Sequence, residues 1–132
     1  RATRKAEQQS GGALRCEATV FGESVHLEFQ GRIDMNTTPA FHRQLKRTFE
    51  SLPSGICLGL SEIEYMDSSG AAALVESLRW SREKGVDFIL QAPSKAVLGT
   101  LEVVQLASLF ESFEDLREVQ QRFEQLNTKV EE

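Results

Sequence analysis

The sequence is poor in the residues that build metal sites, disulfide frameworks and membrane spans. It holds two cysteines, two histidines and three prolines in 132 residues. Cys16 and Cys57 both lie inside apolar runs, so we expect two buried, reduced thiols and a reducing compartment. No apolar run approaches the roughly 20 residues of a membrane-spanning helix, and residues 1–12 lack the apolar stretch of a signal peptide. We therefore expect a cytoplasmic location without membrane insertion.

Positive charge is also scarce, and acidic residues are concentrated at one end. The chain carries a formal net charge of −5, and residues 102–132 hold eight acids against three bases. There is no basic stripe with interleaved aromatic residues, so we expect no nucleic-acid binding. The sequence has no glycine-rich phosphate loop and no Cys/His spacing of a metal site. We expect neither a cofactor nor a bound metal.

Alternating apolar and polar residues indicate two strands near the start of the chain. They occupy about Cys16–Val20 and Val25–Phe29, and Gly22-Glu23 between them suits a tight turn. These strands should form an antiparallel hairpin. Ile56–Leu60 is a continuous apolar run, which is typical of a central strand covered on both faces.

Helices are expected to alternate with further strands after the hairpin. The first should be capped by Thr38 with Pro39 in its first turn, and the second should run to about Lys84 and end at Gly85. The remaining elements are a strand over Val86–Leu90, a helix capped by Ser94, a short strand near Leu109–Phe113 and a last helix from about Glu114. This order predicts an α/β fold with a mixed sheet of four to five strands, an opening antiparallel hairpin and helices packed on the sheet.

The domain should occupy residues 14–127. Residues 1–13 are predicted to be a flexible tail, and residues 128–132 a C-terminal tail or an extension of the last helix. Apolar residues recur in that helix at 3-4-3-4 spacing: Leu116, Val119, Phe123, Leu126 and Val130. This pattern fits a helix packed on its own sheet or a short coiled coil, and two heptads do not separate these alternatives.

The segment Tyr65–Gly70 lies where a strand passes into a helix. In open α/β sheets, ligands bind outside the carboxyl ends of the strands. A helix start also offers free N–H groups and the positive end of the dipole, which accommodate an anion such as a serine phosphate. The same residues suit a purely structural role, with Asp67 or Ser68 as a cap and Gly70 for close packing.

Several segments resemble the STAS family of sulphate transporters and anti-sigma-factor antagonists over about residues 14–127. They are Gly31-Arg32-Ile33-Asp34, the helix behind Thr38-Pro39, the run from Leu60 to Asp67-Ser68-Ser69-Gly70, Pro93-Ser94 with Val97 and Leu101, and Leu109-Phe110 before Phe113-Glu114-Asp115. In antagonists of this family, the serine after the aspartate is phosphorylated by an anti-sigma factor that is itself a kinase, and a phosphatase removes the phosphate.

The resemblance implies a bacterial regulator of transcription that switches partners. Ser68 would be the phosphoacceptor, and the unphosphorylated form would bind the kinase and free a sigma factor. Asp34 would lie beside this turn and contact the partner. The expected partner-binding residues are Asp34, Asn36, Thr37, Asp67, Ser68, Ser69 and Gly70.

One alternative stays open at this point, and two others have less support. The chain could be a cytosolic STAS module, within a larger protein or beside a membrane transporter of the ABC lipid-export or anion type, that docks to a subunit without phosphorylation. A response-regulator receiver would use Asp67 as acceptor, but such domains begin with a strand and a paired-acid loop. An enzyme would need a base beside a nucleophilic serine. His26 and His42 are expected to be surface or partly buried residues, so we expect no enzymatic activity.

Overall fold

The computed structural model describes the backbone of residues 2–7 and 14–131 and the side chains of residues 14–126. The strands are β1 (Ala2–Glu7), β2 (Leu14–Phe21), β3 (Ser24–Ile33), β4 (Gly55–Met66), β5 (Asp87–Gln91) and β6 (Ser112–Phe113). The helices are α1 (Thr38–Glu50), α2 (Ser68–Lys84), α3 (Lys95–Val103) and α4 (Leu116–Glu131), with a 3-10 turn at Ala107–Leu109.

The strands form one mixed sheet in the order β1-β2-β3-β4-β5-β6. β2 and β3 are the predicted antiparallel hairpin, and Gly22 supplies the positive φ of +60° that a two-residue turn needs. β3 to β6 are parallel. The α/β fold class and the mixed sheet with an opening hairpin are therefore confirmed.

β1 is the one strand that the sequence did not predict. It pairs antiparallel with β2, with Ala2 opposite Phe21 and Glu7 opposite Cys16. The segment has no alternation of apolar residues, so periodicity could not reveal it and residues 1–13 were predicted to be a tail. The domain boundary at residue 14 stays a prediction.

β4 runs from Gly55 to Met66, well beyond the predicted Ile56–Leu60. Its second half is only intermittently buried. Register shifts also interrupt the pairing of β3 with β4 between Glu28 and Gln30 and again between Gly31 and Arg32. Such bulges break the two-residue period that identifies a strand. The continuation matters because it carries the chain to the edge where Asp67 follows.

The main core lies between the sheet and helices α1, α2 and α3. Phe29 and Phe41 join β3 to α1, with ring centroids 4.9 Å apart in an edge-on contact. Phe49 of α1 packs against Trp80 of α2 at 5.8 Å and Phe88 of β5 at 5.7 Å. These contacts fix both helices on the same face of the sheet.

Helix α4 covers part of the opposite face. Val119 and Phe123 pack on Cys57 and Ile89 in a separate apolar cluster, with Phe113, Leu116 and Leu126 beside them. A Cβ at Gly55 would lie 2.8 Å from the Phe123 ring, so the ring rests directly on the backbone of β4. The 3-4 spacing of this helix therefore serves packing on its own sheet as far as Leu126, and Val130 lies outside the described side chains.

A buried polar chain lies beside this cluster. His26 places Nδ1 3.2 Å from the Cys57 Sγ and Nε2 2.9 Å from the Glu28 Oε1. His26 is only 7% exposed, so the expected surface or partly buried position was wrong for this residue. The interior accepts its ring because both nitrogens have partners. Both cysteines are buried and neither forms a disulfide, as predicted.

Burial, helped by the Glu28 charge, raises the pKa of Cys57 to about 12. The thiol is therefore neutral and a poor nucleophile.

Among the side chains that the structure describes, no three metal-binding residues are grouped to hold an ion. No described helix is long and apolar enough to cross a membrane.

Phe123→Ala should loosen α4 and expose Cys57. Deleting a buried phenylalanine ring costs about 3–5 kcal/mol, and water entering under α4 would lower the pKa of the thiol. In a Cys16→Ala background, labelling by a disulfide reagent should therefore accelerate. Gln121→Ala, on the exposed side of α4, is the matched control and should label at the parental rate. Unchanged labelling in Phe123→Ala would show that α4 does not shield the thiol.

Candidate functional site

The candidate site lies at the carboxyl ends of two adjacent parallel strands. Ile33 ends β3 opposite Met66, which ends β4. Asp34 and Asp67 are the next residues of each strand, and the backbone N–H of Asp67 donates to the carbonyl of Ile33 at 3.0 Å. The fold thus brings together the two sequence segments that predicted the site.

The Asp67 carboxylate caps helix α2. Its Oδ1 accepts the backbone N–H of Ser69 at 2.9 Å and of Gly70 at 3.3 Å. The hydroxyl of Ser69 donates to the same oxygen at 2.6 Å. This hydroxyl is the main reason that the pKa of Asp67 is lowered, and the backbone N–H groups of Gly70, Ser69 and Met35 lower it further. Asp67, rather than Ser68, is therefore the cap, and it is ionised at neutral pH.

The two serines of the turn have different surroundings. The Ser69 hydroxyl lies 2.8 Å from the Thr38 Oγ1 in addition to its bond with Asp67. Since an ionised carboxylate only accepts, Ser69 donates its proton to Asp67 and Thr38 donates to Ser69. Ser68 is exposed, and its hydroxyl makes no hydrogen bond to any described residue.

The loop after β3 is held by its own side chains. Asp34 Oδ1 accepts the backbone N–H of Asn36 at 2.9 Å and of Thr37 at 3.2 Å. The Thr37 hydroxyl donates to the carbonyl of Arg32 at 2.8 Å and accepts from the N–H of Asp34 at 2.9 Å. Thr37 is buried, so its side chain shapes the loop, while Asp34 and Asn36 stay accessible.

The start of α1 differs from the prediction by one residue. Thr37 occupies the N-cap position, without a side-chain capping bond, and Thr38 is the first helical residue. The Thr37 hydroxyl bonds to Arg32 and Asp34 in the loop, so it does not accept an N–H of the helix. The prediction that Thr38 caps the helix was therefore wrong, and its hydroxyl instead bonds Ser69.

Gly70 joins the turn to the core. A Cβ at this position would lie 2.6 Å from Met66 Cγ and 2.7 Å from Ile33 Cγ2. Helix α3 braces the same region, because the Thr100 hydroxyl donates to the carbonyl of Met66 at 2.5 Å. Spacing in the sequence gave no signal for Thr100, since its partner is far away in the chain.

The surface around the turn combines negative charge with exposed apolar atoms. Met35 is 78% exposed in the loop beside Asp67. Tyr65 lies under the Arg32 guanidinium, whose carbon is 4.4 Å from the ring centroid, and the Arg32 Nε is 3.8 Å from the Asp34 Oδ2. Met35 was not among the expected contacts, and the signal that could have found it is an apolar residue in a polar loop.

An open groove of about 450 Å³ runs between α1 and α2 next to the turn. Pro39 and His42 lie on one wall and Ala72 and Glu76 on the other, and Ser69 lies at one end. His42 packs edge-on against Trp80, with ring centroids 5.2 Å apart, and is partly buried as expected. The groove leaves Ser69 reachable from solvent although its hydroxyl is bonded.

Comparison with known proteins identifies the family. The sequence pattern of the STAS domain matches residues 15–119, so the chain belongs to the STAS domain family. An anti-sigma factor antagonist from Mycobacterium paratuberculosis aligns with 89% of this chain and 99% of its own, at 18% identity and a TM-score of 0.77.

Two further solved structures share the fold. The Bacillus cell fate determinant SpoIIAA in its phosphorylated form covers 83% of this chain and 98% of its own, at 17% identity and a TM-score of 0.63. SLC26A9 matches 83% of this chain with 21% of its own length, at 13% identity and a TM-score of 0.68. At such low identities the likeness shows the fold alone.

Gly70→Ala should destabilise the domain, whereas Gly99→Ala should not. A methyl group at Gly70 would overlap core side chains, and overpacking typically costs about 1–3 kcal/mol. Gly99 lies within α3 with no atom within 4 Å of an added Cβ, so alanine should gain up to about 1 kcal/mol there. Urea unfolding measures both changes. Equal stability of the two variants would contradict the close packing at Gly70.

Asp67→Asn should lose stability in a pH-dependent manner. Asparagine still caps a helix but lacks the charge that the turn stabilises. The folded pKa of Asp67 is below its ordinary value of 3.8, so the carboxylate stabilises the fold above that value and loses this effect as the pH falls through the folded pKa. The gap in unfolding free energy between wild type and variant should therefore be full at pH 7 and shrink in acid. A gap that is constant with pH would contradict this role.

Proposed function

We propose that this STAS domain is a protein-binding switch of the anti-sigma-factor antagonist type, controlled by phosphorylation of Ser68 by a partner kinase. The observation that carries the proposal is the contrast between two adjacent hydroxyls. Ser68 is exposed and makes no hydrogen bond to any described residue, whereas Ser69 is bonded to Asp67 and Thr38. The fold shared with antagonists, one of them solved in a phosphorylated form, supports the same type.

The chain acts in this proposal as the substrate and not as the enzyme. The Ser68 oxygen attacks the γ-phosphorus of a nucleoside triphosphate held by the kinase. An O–P bond forms, the bond to the diphosphate oxygen breaks, and the hydroxyl proton passes to a base of the kinase. Asp67 is unsuited to be that base, because its lowered pKa makes it a weak proton acceptor and its oxygen already holds Ser69.

A phosphate on Ser68 changes the charge of the docking surface. It adds about −1.5 to −2 charges at pH 7, beside the ionised Asp67 and close in sequence to the exposed Glu62 and Glu64. The N–H groups of Ser69 and Gly70, which could receive an anion at a helix start, are already bonded to Asp67. The new charge therefore stays at the surface and opposes the docking of a partner that fits the neutral hydroxyl.

The loop after β3 would supply the other half of the docking surface. Asp34 and Asn36 are accessible, and Met35 adds an exposed apolar side chain next to the serine turn. Thr37 and Gly70 would contribute through the shape of the backbone, since both are buried. In this proposal the partners are an anti-sigma factor that is a serine kinase and a phosphatase, all in the cytoplasm of a bacterium.

A second candidate is a STAS module that regulates a membrane transporter by docking, without phosphorylation. The match to one fifth of SLC26A9 favours it, because there the same fold is part of a much longer chain. A receiver with Asp67 as acceptor is less well supported, because both N–H groups and the Ser69 hydroxyl occupy its carboxylate.

Phosphorylation of Ser68 tests the proposal directly. The domain is incubated with ATP and the candidate serine kinases of its own organism, and the phosphate is located by mass spectrometry. The expected result is a phosphate on Ser68 that is absent in Ser68→Ala and survives acid, which hydrolyses an acyl phosphate on an aspartate. No modification, while the same kinases phosphorylate a known substrate, would favour the transporter module.

Partner affinity should follow the charge at residue 68. Ser68→Asp should bind the cognate kinase at least about tenfold more weakly, which corresponds to 1.4 kcal/mol, and Ser68→Ala should retain wild-type affinity. Gln121→Glu adds a charge on exposed α4 and is the matched control. Ser68→Asp should also keep the melting temperature, since a carboxylate is favourable at a helix start. Equal affinity of both Ser68 variants would refute the switch.

A further inference from the structure

The turn presents two adjacent serines, and burial does not explain why only one should accept phosphate. Ser69 is half-buried but lines the open groove between α1 and α2. A kinase that reaches Ser68 also comes close to Ser69. The difference between the two residues lies in the bonds of their hydroxyl groups.

The Ser69 hydroxyl is engaged as donor and as acceptor. A serine oxygen carries one proton and two lone pairs. The proton is directed to Asp67 Oδ1 at 2.6 Å, and one lone pair receives the Thr38 hydroxyl at 2.8 Å. Thr38 lies in the first turn of α1, between Thr37, which is buried, and Pro39, so its position is set by the backbone.

Phosphoryl transfer to Ser69 would disrupt both bonds. The bonds to Asp67 and Thr38 fix the direction of the one remaining lone pair, so turning it toward the γ-phosphorus of the triphosphate breaks the bond to Thr38. Transfer also requires the proton to leave Asp67. The product would place a phosphate beside the Asp67 carboxylate, where like charges repel. A phosphate on Ser68 also comes near Asp67, but the Ser68 hydroxyl has neither of these two hydrogen bonds to break among the described residues.

We infer that Thr38 is a specificity-determining residue, whose hydroxyl restrains Ser69 and directs phosphoryl transfer to Ser68. The inference rests on the proposed phosphorylation of the turn and adds a residue from another helix to it. Thr38 acts through Ser69 and touches neither the phosphate nor the kinase in this account. The helix α1 thereby selects the acceptor on helix α2.

Thr38→Val tests this role, because valine keeps the shape of threonine and removes only the hydroxyl. After partial phosphorylation by the kinase, the ratio of Ser69 phosphate to Ser68 phosphate should rise roughly two- to tenfold, the effect of one hydrogen bond. Thr48→Val is the matched control, because it removes another hydroxyl of α1, which donates to the carbonyl of Gln44 and not to Ser69. The control should keep the wild-type ratio. An unchanged ratio in Thr38→Val would overturn the inference.

A second measurement needs no kinase. Side-chain coupling constants from NMR should show one fixed rotamer for Ser69 and averaging for Ser68 in the wild type, with Ser69 averaging in Thr38→Val. Equal averaging of Ser69 in both proteins would overturn the restraint by Thr38. If the wild type accepts no phosphate from an active kinase, the proposed switch and the specificity fail together. A Ser69 rotamer that still depends on Thr38 would then show that the failure lies in the phosphorylation and not in the hydrogen bond.

Discussion

The site depends on one carboxylate. Asp67 follows the last residue of β4, is tied to β3 through its own N–H, and receives the first free N–H groups of α2. It therefore joins two strands and a helix at one point. The hydroxyl of Ser69 completes its shell and, through Thr38, extends the connection to α1. Position, charge and exposure of the whole turn follow from this residue.

The candidate site and the α4 cluster are associated with different faces of the sheet. α1, α2 and α3 build the main core, and the candidate site lies where β3 and β4 pass into α1 and α2. α4 closes part of the other face over Cys57 and His26, away from the turn. The serine turn and the α4 cluster therefore occupy separate parts of the domain. This separation allows a change of charge at the turn without disturbance of the second apolar cluster.

The parts of the fold that were predicted correctly are those whose signals lie within a few neighbouring residues. The hairpin, the central strand, the stop at Gly85 and the cap at Ser94 all have local signals, and all are present. The extension of β4 past Leu60 and the pairing of Ala2–Glu7 depend on partners elsewhere in the sheet, which periodicity does not contain. The Asp67 motif was visible, but the Thr38 bond was not, because it joins two helices that only the folded sheet brings together.

Gly59 of β4 leaves space for two polar side chains of β3. A Cβ at this position would lie 2.1 Å from the Glu28 Oε1 and 2.9 Å from the His26 Nε2. The acid and the imidazole occupy the space that a side chain at residue 59 would need. In evolutionary terms the three positions are not independent: a homologue with alanine or a larger residue in place of Gly59 should carry a shorter or reoriented residue at position 28 or 26. Sequence covariation between position 59 and positions 26 and 28 would show that these side chains compete for the same space.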